Sequence, residues 1–385
     1  MKLLIIYHAG LAEDAKNIFR QYAGQGVDLS VIVPMEIYSS TGQRFKYGYF
    51  DNENGYSFIP VEYKIGFKFL PLFWAIKKIK PDVIQVFDEY SSIDLAKVIL
   101  CRNILYGKKI PVFAYAFQNI PFSSPPFIFE FSAKFFKRII YKICYPLIFW
   151  YHKRDLSGVT GSNGQALLNI RNINRNIPLK LIFWGVEIKN FFPKNRNVCR
   201  EKLGLKKDVK IIGYAGRIIE EKGLETLVNA VSKTDYQLIF VGDGNYKSEL
   251  IAMVNDLCLA DRISFYKNVS QVDLVDFYNA FDVLVLPSKT MIGWKEQYGR
   301  VLIEAMACGL PVVGSSSGAI SEVLSGYPSG LIFKEGDIND LAEKIKLGID
   351  LSLPESFNLK DFLYKFSVLN FVLEHLEFYK KFLKI

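Results

Sequence analysis

"VKIIGYAGRIIEEKGLETLVNAV" occupies residues 209–231. Its first eight residues are almost continuously apolar and read as a β-strand ending at Ala215–Gly216. Arg217 and Lys222 flank the turn that follows, and Gly223 opens a helix over Leu224–Ser232. A strand apolar on both sides needs cover on both faces, which is the condition of a parallel sheet sandwiched between helices.

The same alternation extends in both directions. Towards the N-terminus lie "KLLIIY" (2–7), "VDLSVIVP" (27–34), "DVIQVF" (82–87), "PVFAYAF" (111–117) and "LKLIFWGV" (179–186). Towards the C-terminus lie "YQLIFVGDG" (236–244), "RISFY" (262–266), "DVLVLP" (282–287) and "PVVGSS" (311–316), with helical patterns at Lys247–Leu257 and Leu274–Ala280. Two sets of five strands exceed one compact domain. The chain therefore reads as α/β, with two Rossmann-like, doubly wound parallel-sheet domains. The join falls near "GVEIKNFFPKNRN" (185–197), where apolar patterning gives way to Asn, Lys and Pro.

Bulk composition agrees. Among 385 residues half are hydrophobic and 23% charged, which excludes wholesale disorder. A net charge of +9 favours an anionic partner: a phosphorylated metabolite, a membrane surface or nucleic acid. Cys101, Cys144, Cys199, Cys258 and Cys308 are scattered, without a CxxC pair, as in a reducing compartment. The N-terminal "MKLLIIYHAG" suits a first strand better than a signal peptide. The uncharged stretch Ile110–Phe129 contains four prolines, Gln118 and Asn119, which no lipid-exposed helix carries together.

In open α/β sheets ligands bind beyond the carboxyl ends of the strands, and four loops of the second half stand out there. At 216–223 a glycine and two cations beside a helix N-terminus suit an anion; alternatively, Arg217 and Lys222 pair with Glu220, Glu221 or Glu225. "VGDG" (241–244) is a tight turn that brings Gly242 close to a ligand or to a neighbouring element. In "KEQYGRVLIEAMACGLPVV" (295–313), Glu304 is the one charge in the apolar run Val301–Cys308, and Glu296 precedes it by eight positions. A buried carboxylate must find partners, either a ligand or Arg300 one turn back. Peptide N–H groups around Gln297, Tyr298 and Gly299 face an anion at that helix start. "GSSSGAISEVL" (314–324) allows close approach, or caps a helix at Ser317.

Together these loops resemble the nucleotide-sugar domain of the retaining glycosyltransferases of family 4, which have the GT-B fold. The matching features are "GR" (216–217), "EKG" (221–223), "VGDG", and Glu296 and Glu304 followed by "AMACGLPVV". "GVEIKNFFP" (185–193) and "FSVLNFVLEHLEFYKKFL" (366–383) are similar to the family's entry into the second domain and its C-terminal helix returning to the first. The resemblance implies two domains facing a cleft. Residues 1–188, completed by 366–385, would bind the acceptor, and residues 189–365 the nucleotide-sugar.

By the same resemblance, Arg217 and Lys222 bind the donor diphosphate beside Gly216, Gly242 and Gly10. Glu304 accepts hydrogen bonds from the ribose, Glu296 contacts the donor sugar, and Asn268 and Val269 offer backbone contacts to the base. Catalysis falls to Glu296, Arg217 and Lys222. Fixed cations and a helix N-terminus answer the charge that grows on a departing nucleoside diphosphate. The donor is a UDP-, GDP- or ADP-sugar, and no metal or other cofactor is expected, with only His8, His152 and His375 in the chain and no Asp-x-Asp pair.

The first half departs from the family pattern. "YHAG" carries only Gly10 where a glycine pair is usual, and Gln118 or Asn119 stands where a histidine often faces the sugar. Asp88 and Glu89, after "DVIQVF", are further candidates there, or cap a turn. In 131–154, Lys134, Lys137, Arg138 and Lys142 share one helical face, opposite Phe135, Phe136, Ile139, Ile140 and Ile143. Such a helix suits an anionic membrane or a lipid-phosphate carrier, or packs on a core with a solvated basic face.

The expected activity is transfer of a sugar to a glycan or lipid-linked acceptor in cell-surface polysaccharide or glycolipid synthesis. The expected place is the cytoplasm, peripherally at the cytoplasmic face of the membrane. The alternatives are an epimerase or phosphorylase sharing the fold, a degenerate relative that only binds, or a basic nucleic-acid- or membrane-binding protein. Nucleic acid is disfavoured because the basic residues gather beside no aromatic platform or reading motif.

Overall fold

A computed structural model describes residues 1–10, 12–38, 44–46, 55–63, 66–120, 146–267 and 269–383. The chain divides into two units: Met1–Gly185 with Val368–Ile385, and Val186–Ser367.

Unit 1 is built on strands β1 (Lys2–Ile6), β2 (Asp28–Pro34), β5 (Tyr56–Val61), β6 (Val83–Val86), β7 (Val112–Ala116), β8 (Gly158–Gly161) and β9 (Leu179–Leu181). They form one sheet in the order β5-β2-β1-β6-β7-β8-β9. Every pair is parallel, as in the β1–β2 register from Lys2 opposite Asp28 to Ile6 opposite Ile32. A short antiparallel pair, β3 (Glu36–Tyr38) with β4 (Arg44–Lys46), stands apart. Apolar side chains cover both faces, as the runs in β1, β6 and β7 require.

The C-terminal helix Val368–Lys380 is part of unit 1. Its Phe371, Val372, Phe378 and Tyr379 are buried, each contributing about 1.5–3 kcal/mol by leaving water. Tyr379 donates its hydroxyl hydrogen to Gln85 Oε1 at 2.7 Å, and His375 meets Thr160 Oγ1 at 3.0 Å and the Phe371 carbonyl at 2.8 Å.

Unit 2 carries β10 (Ile211–Ala215), β11 (Gln237–Val241), β12 (Ile263–Tyr266), β13 (Val283–Leu286), β14 (Val312–Ser315) and β15 (Gly330–Phe333), in the order β12-β11-β10-β13-β14-β15 and again parallel. Strand order reverses at β10, whose neighbours are β11 and β13. Several basic residues are committed to structure here. Arg200 and Arg196 pair with Asp282 at 2.7 and 2.9 Å, and Lys194 and Lys202 with Asp276 at 2.6 and 2.5 Å.

Five strands are not among those expected from the sequence: β5, β8 and β15 in the parallel sheets, and the antiparallel pair β3 and β4. Of the expected "LKLIFWGV" only Leu179–Leu181 pairs, because Trp184 leaves the strand path to pack on Phe87, Tyr115 and Phe371. The proposed cationic helix face at 134–142 lies outside the described residues, whereas residues 146–155 are helical.

Candidate functional site

The carboxyl ends of β10 and β13 flank the point where strand order reverses, the position at which doubly wound sheets bind ligands. The β10 turn rests on that of β11. Gly216 N–H donates to the Val241 carbonyl and Ile218 N–H to the Asp243 carbonyl, both at 2.9 Å. A Cβ at Gly242, whose φ is +150°, would run into the Gly216 carbonyl oxygen. The neighbour that Gly242 approaches is thus the backbone of the adjacent loop.

Arg217 follows, exposed, and no ion pair among the described residues holds it. Its carbonyl accepts the Tyr214 hydroxyl at 2.7 Å. Lys222 behaves differently. It ends a short 3-10 turn, Glu220–Lys222, and its Nζ lies 2.5 Å from Glu296 Oε2 and 5.3 Å from the centre of the Trp294 ring. Ser288 Oγ, just beyond β13, donates to the same carboxylate oxygen at 2.6 Å. The nearby Glu220 and Glu225, the alternative partners for Lys222, instead pair with Lys289 at 3.5 and 2.6 Å. The Lys289 N–H also donates to the Glu221 carbonyl at 2.9 Å, tying the loop after β13 to the turn after β10.

Glu304 is buried in the helix Arg300–Ala307, which begins after Gly299 at φ +74° with no side-chain cap on its first N–H groups. Tyr278 donates its hydroxyl hydrogen to Glu304 Oε2 at 2.7 Å, and Arg300 Nε lies 3.3 Å from Oε1. The i,i+4 partner expected as the structural alternative is therefore present. Tyr278 is fully buried, and burial pushes its hydroxyl well above the usual tyrosine range, so it acts as a donor. Tyr298 is half-buried beside Gly299, and Val269 is half-buried beyond β12. Asn268 lies outside the described residues. Ser317 does not cap the next helix, Ile320–Leu324, whose N-cap is Ala319; its hydroxyl meets Thr290 Oγ1 at 3.1 Å.

Gly10, Gln118 and Asn119 belong to unit 1, at the carboxyl ends of β1 and β7. Gly10 is buried, its N–H 3.2 Å from the Tyr7 carbonyl. The Gln118 N–H donates to Glu89 Oε1 at 2.8 Å, as does that of Phe117 at 2.9 Å. Asn119 is buried behind them. Glu89 thus ties the end of β6 to the end of β7, and burial pushes its carboxyl up to about 7. Asp88 accepts from Ser92 and from the Glu89 N–H, the turn-capping role, and burial raises its pKa too.

Sequence reading missed Ser288, Trp294 and Tyr278 as partners. Ser288 was visible at the end of "VLVLPS", but its carboxylate partner depends on the fold. Tyr278 sits inside an ordinary helical pattern and carries no local signal.

The fold of the whole chain is that of GT-B glycosyltransferases. It superposes on Anabaena HepE in complex with UDP with a TM-score of 0.74 at 18% identity, covering 99% of this chain and 100% of that one. On sucrose-phosphate synthase from Thermosynechococcus elongatus the TM-score is 0.67 at 20% identity, covering 99% and 98%. Residues 195–358 match the family described as glycosyl transferases group 1.

Two curated relatives agree. A D-inositol 3-phosphate glycosyltransferase of Mycolicibacterium smegmatis is 29% identical over 197 residues, 50% of this chain and 44% of the relative. A GDP-mannose-dependent monoacylated alpha-(1-6)-phosphatidylinositol monomannoside mannosyltransferase of Corynebacterium glutamicum is 30% identical over 169 residues, 41% and 44%. The chain thus spans less than half the length of these relatives.

Proposed function

We propose that this chain is a retaining glycosyltransferase. It moves a sugar from a nucleoside-diphosphate sugar to a glycan or lipid-linked acceptor, in cell-surface polysaccharide or glycolipid synthesis. The observation that carries the reading is the Lys222–Glu296 pair at the reversal point of the unit 2 sheet, on the same turn after β10 that carries the exposed Arg217. An exposed guanidinium and a lysine with a fixed carboxylate partner supply what a diphosphate leaving group needs. Charge developing on the departing phosphate is met by positive groups already in place, which limits reorganisation. The relatives' names, both transferases and one GDP-mannose-dependent, support this class over an epimerase, a phosphorylase or a nucleic-acid-binding protein.

In this reading Arg217, next to Gly216, takes the diphosphate together with the N–H groups at the start of the helix Arg300–Ala307. Lys222 turns from Glu296 alone to share its charge with the phosphate. Glu296 contacts the sugar, and Glu304 the ribose hydroxyls. A carboxylate has about four lone-pair sites, so Tyr278 and Arg300 leave it capacity for a ligand hydroxyl. Val269 and Asn268 contact the base, and Gly10 and Gly242 shape the backbone around the donor. Unit 1 takes the acceptor near Gln118 and Asn119. The acceptor proton passes to the departing phosphate oxygen, so an amide suffices at 118–119 and no metal is required.

Among the described residues no helix is long and apolar enough to cross a membrane. We place the protein in the cytoplasm, peripherally on an anionic membrane, with 131–154 as one contact. The test is donor hydrolysis followed by proton NMR with UDP-, GDP- and ADP-sugars. Release of the sugar with the anomeric configuration of its donor is expected; release of the inverted anomer contradicts a retaining reaction.

A further inference from the structure

Unit 1 has a second feature on one side of its sheet. The helices Phe69–Ile79 and Ile93–Tyr106 and the helical residues 146–155 lie side by side, with their C-terminal ends together. Tyr106 donates to the Ile76 carbonyl at 3.1 Å. Asn103 Nδ2 donates to the Tyr151 hydroxyl at 2.9 Å, and Arg102 to the Asp155 carbonyl at 2.6 Å.

Each helix buries one side and turns large apolar side chains outward: Leu70 and Trp74 on the first, Leu100 and Ile104 on the second, Leu147 and Trp150 on the third. These six are between 43% and 65% exposed. Single exposed apolar residues are ordinary. Six on three adjacent helices make a patch, and a patch marks an interaction surface.

Its chemistry selects the partner. Next to each apolar pair, at the C-terminal end of the helix or just past it, stand cations. The first helix has Lys77 and Lys78, the second is followed by Lys108 and Lys109, and the third has Lys153 and Arg154. Two of the cations cover indole rings: Lys77 over Trp74 at 4.8 Å, and Arg154 over Trp150 at 4.7 Å. Two carboxylates stand near this edge: Asp82, exposed past the first helix, accepts the Lys2 N–H at 2.7 Å, and Asp155 ends the third. The Asp155 side chain is fully buried beneath Lys108 and Arg154, 2.7 Å from each, and presents no negative charge outward. An apolar band with two tryptophans, bordered by lysine and arginine, is complementary to the acyl–headgroup boundary of an anionic bilayer.

We propose that this three-helix face of unit 1 is a membrane-docking surface for anionic lipid, with Leu70, Trp74, Ile104, Leu147 and Trp150 entering the interface and the flanking cations meeting headgroups. The proposal rests on the peripheral-membrane part of the function above and is independent of the transferase part. It assigns contact to helices outside 131–145.

The test is sedimentation of the full chain with vesicles of phosphatidylcholine alone and of phosphatidylcholine mixed equally with phosphatidylglycerol. The expected result is recovery with the mixed vesicles only, declining with added salt. Trp74→Ala/Trp150→Ala is expected to lower the partition coefficient at least about tenfold. Lys77→Glu/Lys78→Glu is expected to lower it as much by removing the preference for phosphatidylglycerol. Circular dichroism and calorimetric nucleotide binding on the same variants separate docking from folding and from the donor site. Equal recovery with both vesicles overturns the proposal. So does wild-type partitioning by either folded variant, which would leave docking to other parts of the chain or indicate that this face binds a protein.

Discussion

Lys222 and Glu296 lie 74 positions apart in the chain, yet Nζ and Oε2 are 2.5 Å apart. Both side chains are largely buried, 13% and 9% exposed. The lysine comes from the turn after β10 and the glutamate from the loop after β13, so the pair joins the two strand ends at which the sheet reverses.

Removing one partner leaves a buried charge alone, which in other proteins costs about 3–5 kcal/mol. Lys222→Ala is therefore expected to lower the melting temperature and to abolish donor turnover. Lys222→Met combined with Glu296→Gln should recover most of the stability and none of the activity. Thermal melts of the single and double variants check this; additive losses of stability would show that the pair is not coupled.

Gly242 supports the site through backbone contact. Gly242→Ala places a methyl group against the Gly216 carbonyl at a backbone angle that side chains rarely adopt. The expected outcome is a melting temperature lower by several degrees and a donor affinity reduced about tenfold or more, since the Arg217 turn must shift. Calorimetry beside a melt separates the two effects.

The two glutamates should divide the donor between them. Glu304→Ala is expected to weaken binding of the free nucleoside diphosphate, and Tyr278→Phe to do so more mildly by removing one donor from the carboxylate. Glu296→Ala should instead affect the diphospho-sugar more than the diphosphate. Equal losses for both ligands in both variants would break that division.

Acid should destabilise unit 1. Burial lowers His375 to about 3 and His152 to about 4, against 6.5 when unfolded. A lowered pKa contributes stability that is present above 6.5 and lost as pH falls towards the folded value. Glu89 opposes this. Its pKa is raised from 4.5 to about 7, so its contribution is present below 4.5 and lost as pH rises through 7. Asp88, also raised by burial, opposes in the same direction, but the two histidines are lowered furthest, and melting temperature should fall between about pH 7 and pH 5. Glu89→Gln should deepen that fall; an unchanged profile would remove Glu89 from the balance.

The strands legible in sequence are those with near-continuous apolar runs, β1, β2, β6, β7, β10, β11, β12, β13 and β14, with β9 as the start of a longer expected run. Those missed are short or broken. "GVTG" at 158–161 spans four residues with glycine at both ends, "GLIF" at 330–333 is an edge strand, and "YSFIPV" at 56–61 carries Ser57 and Pro60. Glu304 stood out because a lone carboxylate in an apolar run demands a partner, and its i,i+4 contact with Arg300 follows from helical spacing. The contact between Lys222 and Glu296 could not be read. Glu220, Glu221 and Glu225 are nearer in sequence, and only the sheet topology brings position 296 to the β10 turn while Lys289 occupies Glu225.

The measurement that bears most directly on the donor site is calorimetric titration of UDP, GDP and ADP into the wild-type protein and Arg217→Ala. Arg217 is exposed and outside every ion pair among the described residues, so its removal should leave the melting temperature unchanged. The account predicts that one nucleotide binds the wild-type protein tightly and that Arg217→Ala weakens it by about a hundredfold. Equal affinity in the two proteins, or no binding of any of the three, would contradict a diphosphate site at the end of β10.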